Sequence, residues 1–323
     1  MYDSADHRPA VCDARQQQTP LSLWVDAAMM EPTRRDDPRT AIDITPYQRR
    51  YRHDVREMLF RSYYAHIHLD WQETDSWLDA GRSTVLVAWR GRRIVGVMGA
   101  SEPLDGACWI RLAAVQDGEP PHPVIETLWR VMRLDLRELH AAEAAILQLR
   151  EWAGEMFAPL GFQAVETIVT LRREAADPPP EAADLPPALT IHAADPAIHA
   201  VITAVDHAAF GPLWRMSPAD LRAAMRSAAS CTVGVVNGQI VGYQLSTMYF
   251  DGSHLARLAV LPSAQAHGVG AALVGDVLRR FQRRGVTAMT VNTQLSNVRS
   301  QRLYTRLGFV RTGYDLPVWR CEP

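Results

Sequence analysis

The chain is 323 residues long, carries a formal net charge of −2 and has 22% charged side chains. This length predicts two domains, because a single hydrophobic core rarely serves more than about 250–300 residues. The weak charge argues against a general electrostatic attraction to nucleic acid or to an anionic membrane, so neither is expected as a partner.

Residues 1–40 begin the chain as a predicted disordered leader that is rich in Asp, Arg, Gln and Pro. The leader has no basic segment followed by an apolar run, which a secretory signal needs. No part of the chain reaches the ~18 continuous apolar residues of a membrane span. The four cysteines are widely separated, which predicts reduced thiols rather than disulfides or a zinc site. We therefore expect a cytoplasmic protein without a metal.

Two segments that resemble each other follow, residues 41–174 and residues 189–323. Both contain a strand hairpin, an Arg-Leu-Ala strand and a Leu-Gly-Phe turn in the same order. The matching stretches lie about 147 residues apart and are 87–97 with 233–244, 109–115 with 254–260, and 157–162 with 304–309. A tandem duplication explains this correspondence better than chance.

Each half has the pattern of one or two helices, hairpin strands, a further strand, and then alternating helices and strands. This order predicts an α/β fold of the mixed α+β kind, with a central mixed β-sheet flanked by helices in each domain. Residues 175–188 separate the halves and hold five prolines. Such a segment predicts an extended linker, because it cannot supply a core.

Residues 257–285 predict a strand, a loop and an amphipathic helix. The strand stops at Pro262, and the loop before the helix contains Gly268 and Gly270. No acidic residue lies between Pro262 and Gly275, so the N–H groups at the start of the helix are free for an external anion. The glycines let a pyrophosphate approach the backbone closely. The sequence therefore predicts an anion-binding loop here.

A second pattern follows the next predicted strand, residues 286–294. Asn297 is a suitable N-cap for a helix, and Tyr304 lies seven residues further along it. Gly308 ends this helix and Phe309 returns the chain to the sheet.

With Gln-x-x-Gly-x-Gly after one strand and Asn-x6-Tyr-x3-Gly-Phe after the next, residues 189–323 resemble the GNAT superfamily of N-acetyltransferases. The resemblance implies two tandem GNAT-like domains in a layout similar to that of mycothiol synthase, with activity in the second. It implies acetyl-CoA as co-substrate, lying in a V between two splayed parallel strands. The residues implied to hold it are Leu258, Ala259, Val260, Gln265, Ala266, His267, Gly268, Val269, Gly270, Ala271 and Asn297.

Acyl transfer to an amine needs a proton donor for the leaving thiolate and a proton acceptor for the amine. Tyr304 is the predicted general acid, since a phenol with a pKa of about 10 can donate to a thiolate whose thiol titrates near 8.5. His254 is a candidate general base. Asp206 with His207, or an ordered water, are alternatives that the sequence leaves open.

The predicted acceptor is the primary amine of a small molecule. Asn292 stands where superfamily members that acetylate ribosomal-protein alanines carry a Glu, and it cannot take a proton. Phe210 and Trp214 lie between two predicted helices, where they form either a substrate wall or ordinary packing. Arg215, in the same segment, could receive an acidic substrate. We expect a monomer or a homodimer.

The first half lacks both chemical features of the second. Its loop, QDGEPPHPVIETL at 116–128, contains prolines without N–H groups and carboxylates that repel phosphate. Phe157 occupies the position of the tyrosine. We therefore expect the first half to bind no acyl-CoA and to form part of the substrate cleft. Two other functions stay open: a non-catalytic acyl-CoA-binding or sensing module, and an acetyltransferase for protein N-termini or lysines.

Overall fold

The computed structural model describes residues 41–174, 188–250, 252–286 and 288–323. The predicted leader and, except for its last residue, the predicted linker lie outside these described residues. These described residues belong to one compact unit.

The described part of the first half contains seven strands and four α-helices. The strands are β1 (Asp43–Pro46), β2 (Tyr64–Ile67), β3 (Thr84–Arg90), β4 (Arg93–Ala100), β5 (Ala107–Val115), β6 (Glu143–Leu147) and β7 (Gln163–Glu174). The helices are α1 (Arg52–Arg61), α2 (Thr74–Asp79), α3 (Pro121–Glu138) and α4 (Glu151–Phe157).

The described part of the second half repeats this order with six strands and four α-helices. The strands are β8 (Thr190–Ala193), β9 (Ser230–Val236), β10 (Gln239–Tyr249), β11 (Gly252–Val260), β12 (Ala288–Gln294) and β13 (Val310–Cys321). The helices are α5 (His199–Ala209), α6 (Pro218–Ser227), α7 (Val269–Gln282) and α8 (Val298–Arg306).

Both predicted hairpins form, and their turn residues explain why. Asn237 and Gly238 have φ angles of 51° and 79° between β9 and β10, and Gly91 has a φ of 62° between β3 and β4. Positive φ at the turn matches the right-handed twist of the paired strands, and Gly and Asn tolerate it best. These local preferences form the two hairpins where the sequence predicted them.

In the described residues, thirteen strands form one mixed sheet in the order β1-β3-β4-β5-β6-β13-β7-β12-β11-β10-β9-β8, with β2 added to β5. Helices α3 and α7 pack against the strands of their own halves through buried apolar faces, among them Leu128 and Leu273. This architecture is the predicted mixed α/β fold with two repeated halves.

The last strand of each half pairs with strands of the other half. β7 lies between β12 and β13, whereas β13 lies between β6 and β7. The antiparallel pairing of β12 with β7 runs from Ala288 opposite Glu174 to Gln294 opposite Ile168. Neither half has a complete sheet by itself, a feature that the sequence did not predict.

Strand β2 lies where β5 and β6 move apart. β5 and β6 pair in parallel in three residue pairs centred on Cys108 and Ala144. Beyond that point β2 runs antiparallel to β5 from Tyr64, opposite Val115, to Ile67. Because β4 covers the other edge of β5, β2 occupies the edge that faces the divergence. In the first half, β2 therefore fills the opening between β5 and β6.

Within the described part of the chain, no helix is long and apolar enough to cross a membrane. The same residues contain no group of three His, Cys, Asp or Glu side chains that could hold a metal ion.

Candidate active site

Strands β11 and β12 of the second half pair briefly and then separate. Their parallel register runs from Ser253 opposite Met289 to Leu255 opposite Val291, although β11 continues to Val260. β10 covers the other edge of β11. Among the described residues, the edge of β11 that faces β12 thus has no strand partner from residue 256 onward. This is the V-shaped opening that the resemblance implied.

Helix α7 begins just beyond the end of β11 with a bare N-terminus. Its N-cap is Gly268 with a φ of 78°, no side chain accepts a hydrogen bond from the helix there, and the first turn contains no acidic residue. Ala266 also has a positive φ, 66°. Left-handed residues at a helix start turn successive N–H groups toward one point, and the helix dipole favours an anion there. The predicted anion loop thus has suitable backbone geometry.

Two side chains hold this loop in place. The Gln265 side-chain amide donates to the carbonyl oxygen of Val260 at 3.0 Å, and its oxygen accepts from Arg299 of α8. Arg299 therefore places a guanidinium beside the loop, which the sequence analysis missed. An arginine two residues after a predicted N-cap, in a helix that lies beside the loop, is the signal that could have found it.

Gly270 has a packing reason for lacking a side chain. A Cβ on Gly270 would lie 3.3 Å from Leu303 Cδ2 of α8 and 3.7 Å from Leu258 Cδ2. The glycine thus allows α7 to approach α8 and β11 closely, whatever it binds.

Tyr304 combines a buried ring with a place in the wall of a cavity. The side chain is 4% exposed and packs against Phe309 with ring centroids 5.7 Å apart. Burial raises the pKa of the phenol well above its usual value. No hydrogen bond to its hydroxyl is made by the residues that the structure describes, and the side chain lines the cavity. The phenol therefore stays protonated and is available to a ligand.

Asn297 caps α8 as the sequence predicted. Its side-chain oxygen accepts from the Ser300 N–H at 3.1 Å. Because the oxygen is used by the cap, the amide N–H groups are the part of Asn297 that can still reach a ligand in the cavity it lines.

His254 lies at the point where β11 and β12 separate, and its Nδ1 is 2.8 Å from Thr290 Oγ1. Thr290 Oγ1 is also 3.3 Å from the Ser253 carbonyl oxygen. Both contacts are satisfied when Nδ1–H donates to Thr290 and Thr290 donates to Ser253, and this assigned tautomer leaves the Nε2 lone pair free. Burial lowers the pKa of His254, with the charge of Asp70 opposing this effect. The ring is thus neutral near pH 7, with Nε2 as its proton acceptor.

These residues surround a cavity of about 370 Å³. Its lining includes Tyr304, His254, Asn297 and Leu258 from the predicted catalytic and cofactor residues. It also includes all four residues of the predicted substrate pocket, Phe210, Trp214, Arg215 and Asn292. Ala259, Val260 and the loop from Gln265 to Ala271 are not among the residues that line it.

Asp206 and Arg257 form a buried network under the substrate wall. Asp206 is fully buried and accepts from Tyr243 Oη at 2.6 Å and from Arg257 Nη2 at 2.7 Å. The Arg257 guanidinium stacks over the Phe210 ring at 3.7 Å and donates to the Trp214 carbonyl oxygen. Asp206 is therefore fully engaged in holding the wall. This supports a structural role for it and not the alternative role of base.

The remaining predicted pocket residues are held by partners across the two halves. Arg215 pairs with Asp105 of the first half at 2.5 Å and donates to two backbone carbonyls. Asn292 accepts from Thr170 of β7 at 3.0 Å. The cavity also receives first-half side chains that the sequence analysis did not single out: His68, Asp70, Trp71, Gln72, Trp109 and Arg111.

Residues 201–309 match the sequence model of the acetyltransferase (GNAT) family. The match includes both strands of the opening, the bare helix start and Tyr304. The chain therefore carries a GNAT acetyltransferase domain. This confirms the family that the two motifs indicated.

Two relatives extend the comparison of this GNAT domain. A stretch of 85 residues is 35% identical to mycothiol acetyltransferase of Stackebrandtia nassauensis, and covers 25% of this chain and 28% of that protein. A stretch of 73 residues is 30% identical to the [ribosomal protein bS18]-alanine N-acetyltransferase of Escherichia coli, and covers 23% of this chain and 49% of that protein. The chain thus matches less than half the length of either relative.

The GNAT fold extends to both halves of the chain. A tandem GNAT protein from the clavulanic acid biosynthesis pathway is similar over 87% of this chain and 98% of its own, with a TM-score of 0.59 and 15% identity. A GCN5-related N-acetyltransferase from Sphaerobacter thermophilus is similar over 87% and 95%, with a TM-score of 0.56 and 15% identity. At such identity the likeness shows the fold, and it confirms the predicted tandem fold class.

Proposed function

We propose that this protein transfers the acetyl group of acetyl-CoA to the primary amine of a small molecule. The observation that carries the proposal is the opening between β11 and β12. It ends at the bare start of α7 on one side and at His254 and Tyr304 on the other. A free backbone edge, a bare helix start and two side chains that could carry protons thus border the same opening.

The cofactor would bind along the free edge of β11. The backbone of Leu258, Ala259 and Val260 offers N–H and C=O groups to the pantetheine amides, as a neighbouring strand would. The N–H groups of the loop from Gln265 to Ala271 face the pyrophosphate, and Arg299 adds a positive charge next to them. Asn297 offers its amide from the β12 side of the opening.

The transfer itself needs two proton movements. The amine nitrogen attacks the thioester carbonyl carbon, His254 Nε2 takes the proton from that nitrogen, and the carbon–sulfur bond breaks. Tyr304 donates to the departing sulfur. Burial raises the pKa of Tyr304, so the phenol keeps its proton until the departing sulfur takes it.

The walls that both halves give the cavity favour a small acceptor over a protein terminus. First-half residues form one side of the cavity. Asn292 accepts a hydrogen bond from Thr170, and it occupies the position at which superfamily members that acetylate ribosomal-protein alanines carry a basic Glu carboxylate. Acetylation of a protein terminus, as the name of the Escherichia coli relative describes for that protein, is the second candidate.

The test uses the full chain. We expect calorimetry to show one acetyl-CoA bound per chain, because β2 fills the opening of the first half and Glu119, paired with Arg90 and Arg93, lies before the start of α3. We expect thiol release from acetyl-CoA in the presence of small primary amines and not with an alanine-starting peptide. Binding without turnover would favour a sensor, and absence of binding would refute the proposal.

A further inference from the structure

The chain segment that follows β2 enters the cavity of the second half. β2 ends at Ile67, and the His68 N–H continues its pairing by donating to the Arg111 carbonyl oxygen at 2.8 Å. Residues 68–72 then line the cavity together with His254 and Tyr304. A segment of the first half thus lies in the wall of the site proposed for the second.

The position of β2 explains how this segment reaches the cavity. β2 pairs with residues 112–115 of β5, and the repeated Arg-Leu-Ala stretches make these residues equivalent to 258–261, at the end of β11 and one residue beyond it. In the first half, β2 therefore occupies the edge that the proposed cofactor arm occupies in the second half. It runs toward the point where β5 and β6 separate, as the arm would run toward the thioester. In the first half, this edge binds β2 instead of a cofactor, and β2 leads into residues 68–72.

Contacts across the two halves fix the segment. The Gln72 side-chain amide donates to the Asp220 carboxylate of α6, and Trp71 packs against the second half's core around Leu221. Trp109, on β5 beside the segment, donates its indole N–H to the Leu213 carbonyl oxygen at 2.7 Å. The segment is thus positioned before any ligand arrives.

Asp70 is the most open charge of the cavity wall. Its side chain is 54% exposed, and its contacts with Arg111 and His68 are long, at 3.3 and 3.6 Å. The three cavity arginines are more covered: the side chains of Arg111, Arg215 and Arg257 are 18%, 25% and 15% exposed and each pairs with a carboxylate. A ligand in the cavity therefore meets a carboxylate before it meets a free cation.

The rings around this carboxylate suit the same kind of ligand. Trp109 and Trp214 meet edge to face with centroids 5.5 Å apart, and Phe210, Trp71 and Tyr249 complete an aromatic lining. Aromatic faces attract organic cations, and a nearby carboxylate adds a charge-assisted hydrogen bond.

Resting on the proposed function, we propose that Asp70 binds a second, non-reacting ammonium group of the acceptor, so that the acceptor class is a diamine. The reacting nitrogen must become neutral, and a carboxylate beside it would favour its charged form. A second ammonium has no such conflict. It stays charged on Asp70 and directs the other amine toward the thioester.

The experiment compares matched acceptors on the full chain. Diamines of three to six carbons are measured beside monoamines and ω-amino acids of the same length, by thiol release from acetyl-CoA. The wild-type chain is expected to prefer the diamines. Asp70→Asn is expected to lower kcat/KM for the best diamine about 10- to 100-fold, as for the loss of a charge-assisted hydrogen bond, and so to lower the ratio of diamine to monoamine kcat/KM by about the same factor.

Three controls make the result specific. Asp70→Glu keeps the charge and is expected to retain part of the diamine preference. Asp54→Asn removes a carboxylate from the exposed surface of α1 and is expected to behave as wild type. Calorimetry of acetyl-CoA binding is expected to be the same for all variants, which separates the acceptor effect from the cofactor.

Two results would overturn the role of Asp70 while leaving the proposed function intact. One is a wild-type chain that acetylates monoamines or ω-amino acids as well as diamines. The other is an Asp70→Asn variant that keeps the diamine preference. Loss of acetyl-CoA binding in the wild-type chain would instead refute the proposed function and this inference with it.

Discussion

Tyr304 combines a place in the core with a place in the cavity wall. Its ring belongs to the core with Phe309, and its side chain also lines the cavity. A phenol can do both because it has an apolar body and a polar tip, and the role of Tyr304 as proton donor stays a prediction.

We expect Tyr304→Phe to lower kcat about 10²-fold, since it removes the proton donor and keeps the ring. Acetyl-CoA affinity by calorimetry should be largely kept. Tyr314→Phe is the matched control, because the Tyr314 ring is 60% exposed. Unchanged turnover in Tyr304→Phe would contradict the assigned role.

His254 makes a prediction about pH. Burial lowers the pKa of His254 below the usual histidine value of 6.5, so the neutral ring that accepts a proton is present above that lowered pKa and is lost as pH falls through it. The acid limb of kcat/KM should therefore lie below pH 6.5. His254→Gln should lower kcat/KM about 10²-fold and remove that limb.

His192→Gln is the control for this substitution. His192 also contacts a threonine hydroxyl, that of Thr190 at 2.9 Å, but it is exposed and outside the cavity. It should leave both the rate and the pH profile unchanged. An acid limb that persists in His254→Gln would assign the base to another group.

At the scale of single elements, one left-handed glycine is the N-cap of α7 and another lies three residues beyond its last residue. Gly268 has a φ of 78° and Gly285 a φ of 77°. A side chain at either position would meet the same backbone strain, but the two positions lie at opposite ends of the helix dipole. Substitutions at them therefore form a matched pair.

We expect Gly268→Glu to be more stable than Gly285→Glu but to bind acetyl-CoA more weakly. The dipole favours a carboxylate at the start of the helix and disfavours one at its end. The free energy of unfolding in urea should therefore be higher for Gly268→Glu than for Gly285→Glu, by about 0.6–2 kcal/mol. Gly268→Glu should nevertheless lose most acetyl-CoA affinity, because its charge and bulk compete with the pyrophosphate. Equal affinities in the two variants would contradict the anion loop.

At the scale of the whole molecule, the exchanged strands make the two halves interdependent. β12 needs β7 of the first half, and β6 needs β13 of the second. A half made alone would expose unpaired strand edges and buried apolar faces. The division at residues 175–188 is thus a boundary in sequence, and it stays a prediction as a boundary between domains.

Expression of residues 41–174 or 189–323 alone should give aggregated or unfolded protein. Co-expression of both fragments should restore a soluble complex that binds acetyl-CoA, because all strand pairings then become available. Circular dichroism and size-exclusion chromatography would measure this. A second half that folds alone and unfolds cooperatively would contradict the interdependence.

The sequence by itself determined the parts of this protein that depend on short stretches of chain. The turn at Asn237, the bare start of α7, the N-cap at Asn297 and the position of Tyr304 each follow from a few neighbouring residues, whose backbone preferences and chemistry are local. The GNAT family followed from the spacing of two such stretches.

Only the tertiary structure decided which strands pair and which side chains meet. Two similar halves offer equivalent strand edges. The alternation of apolar residues in β7 and β13 is the same whether each strand pairs within its own half or with the other half. Asp70, Trp109 and Arg299 carried no motif, since their roles depend on contacts with residues distant in sequence. The burial that raises the pKa of Tyr304 and lowers that of His254 likewise exists only once the halves enclose the cavity.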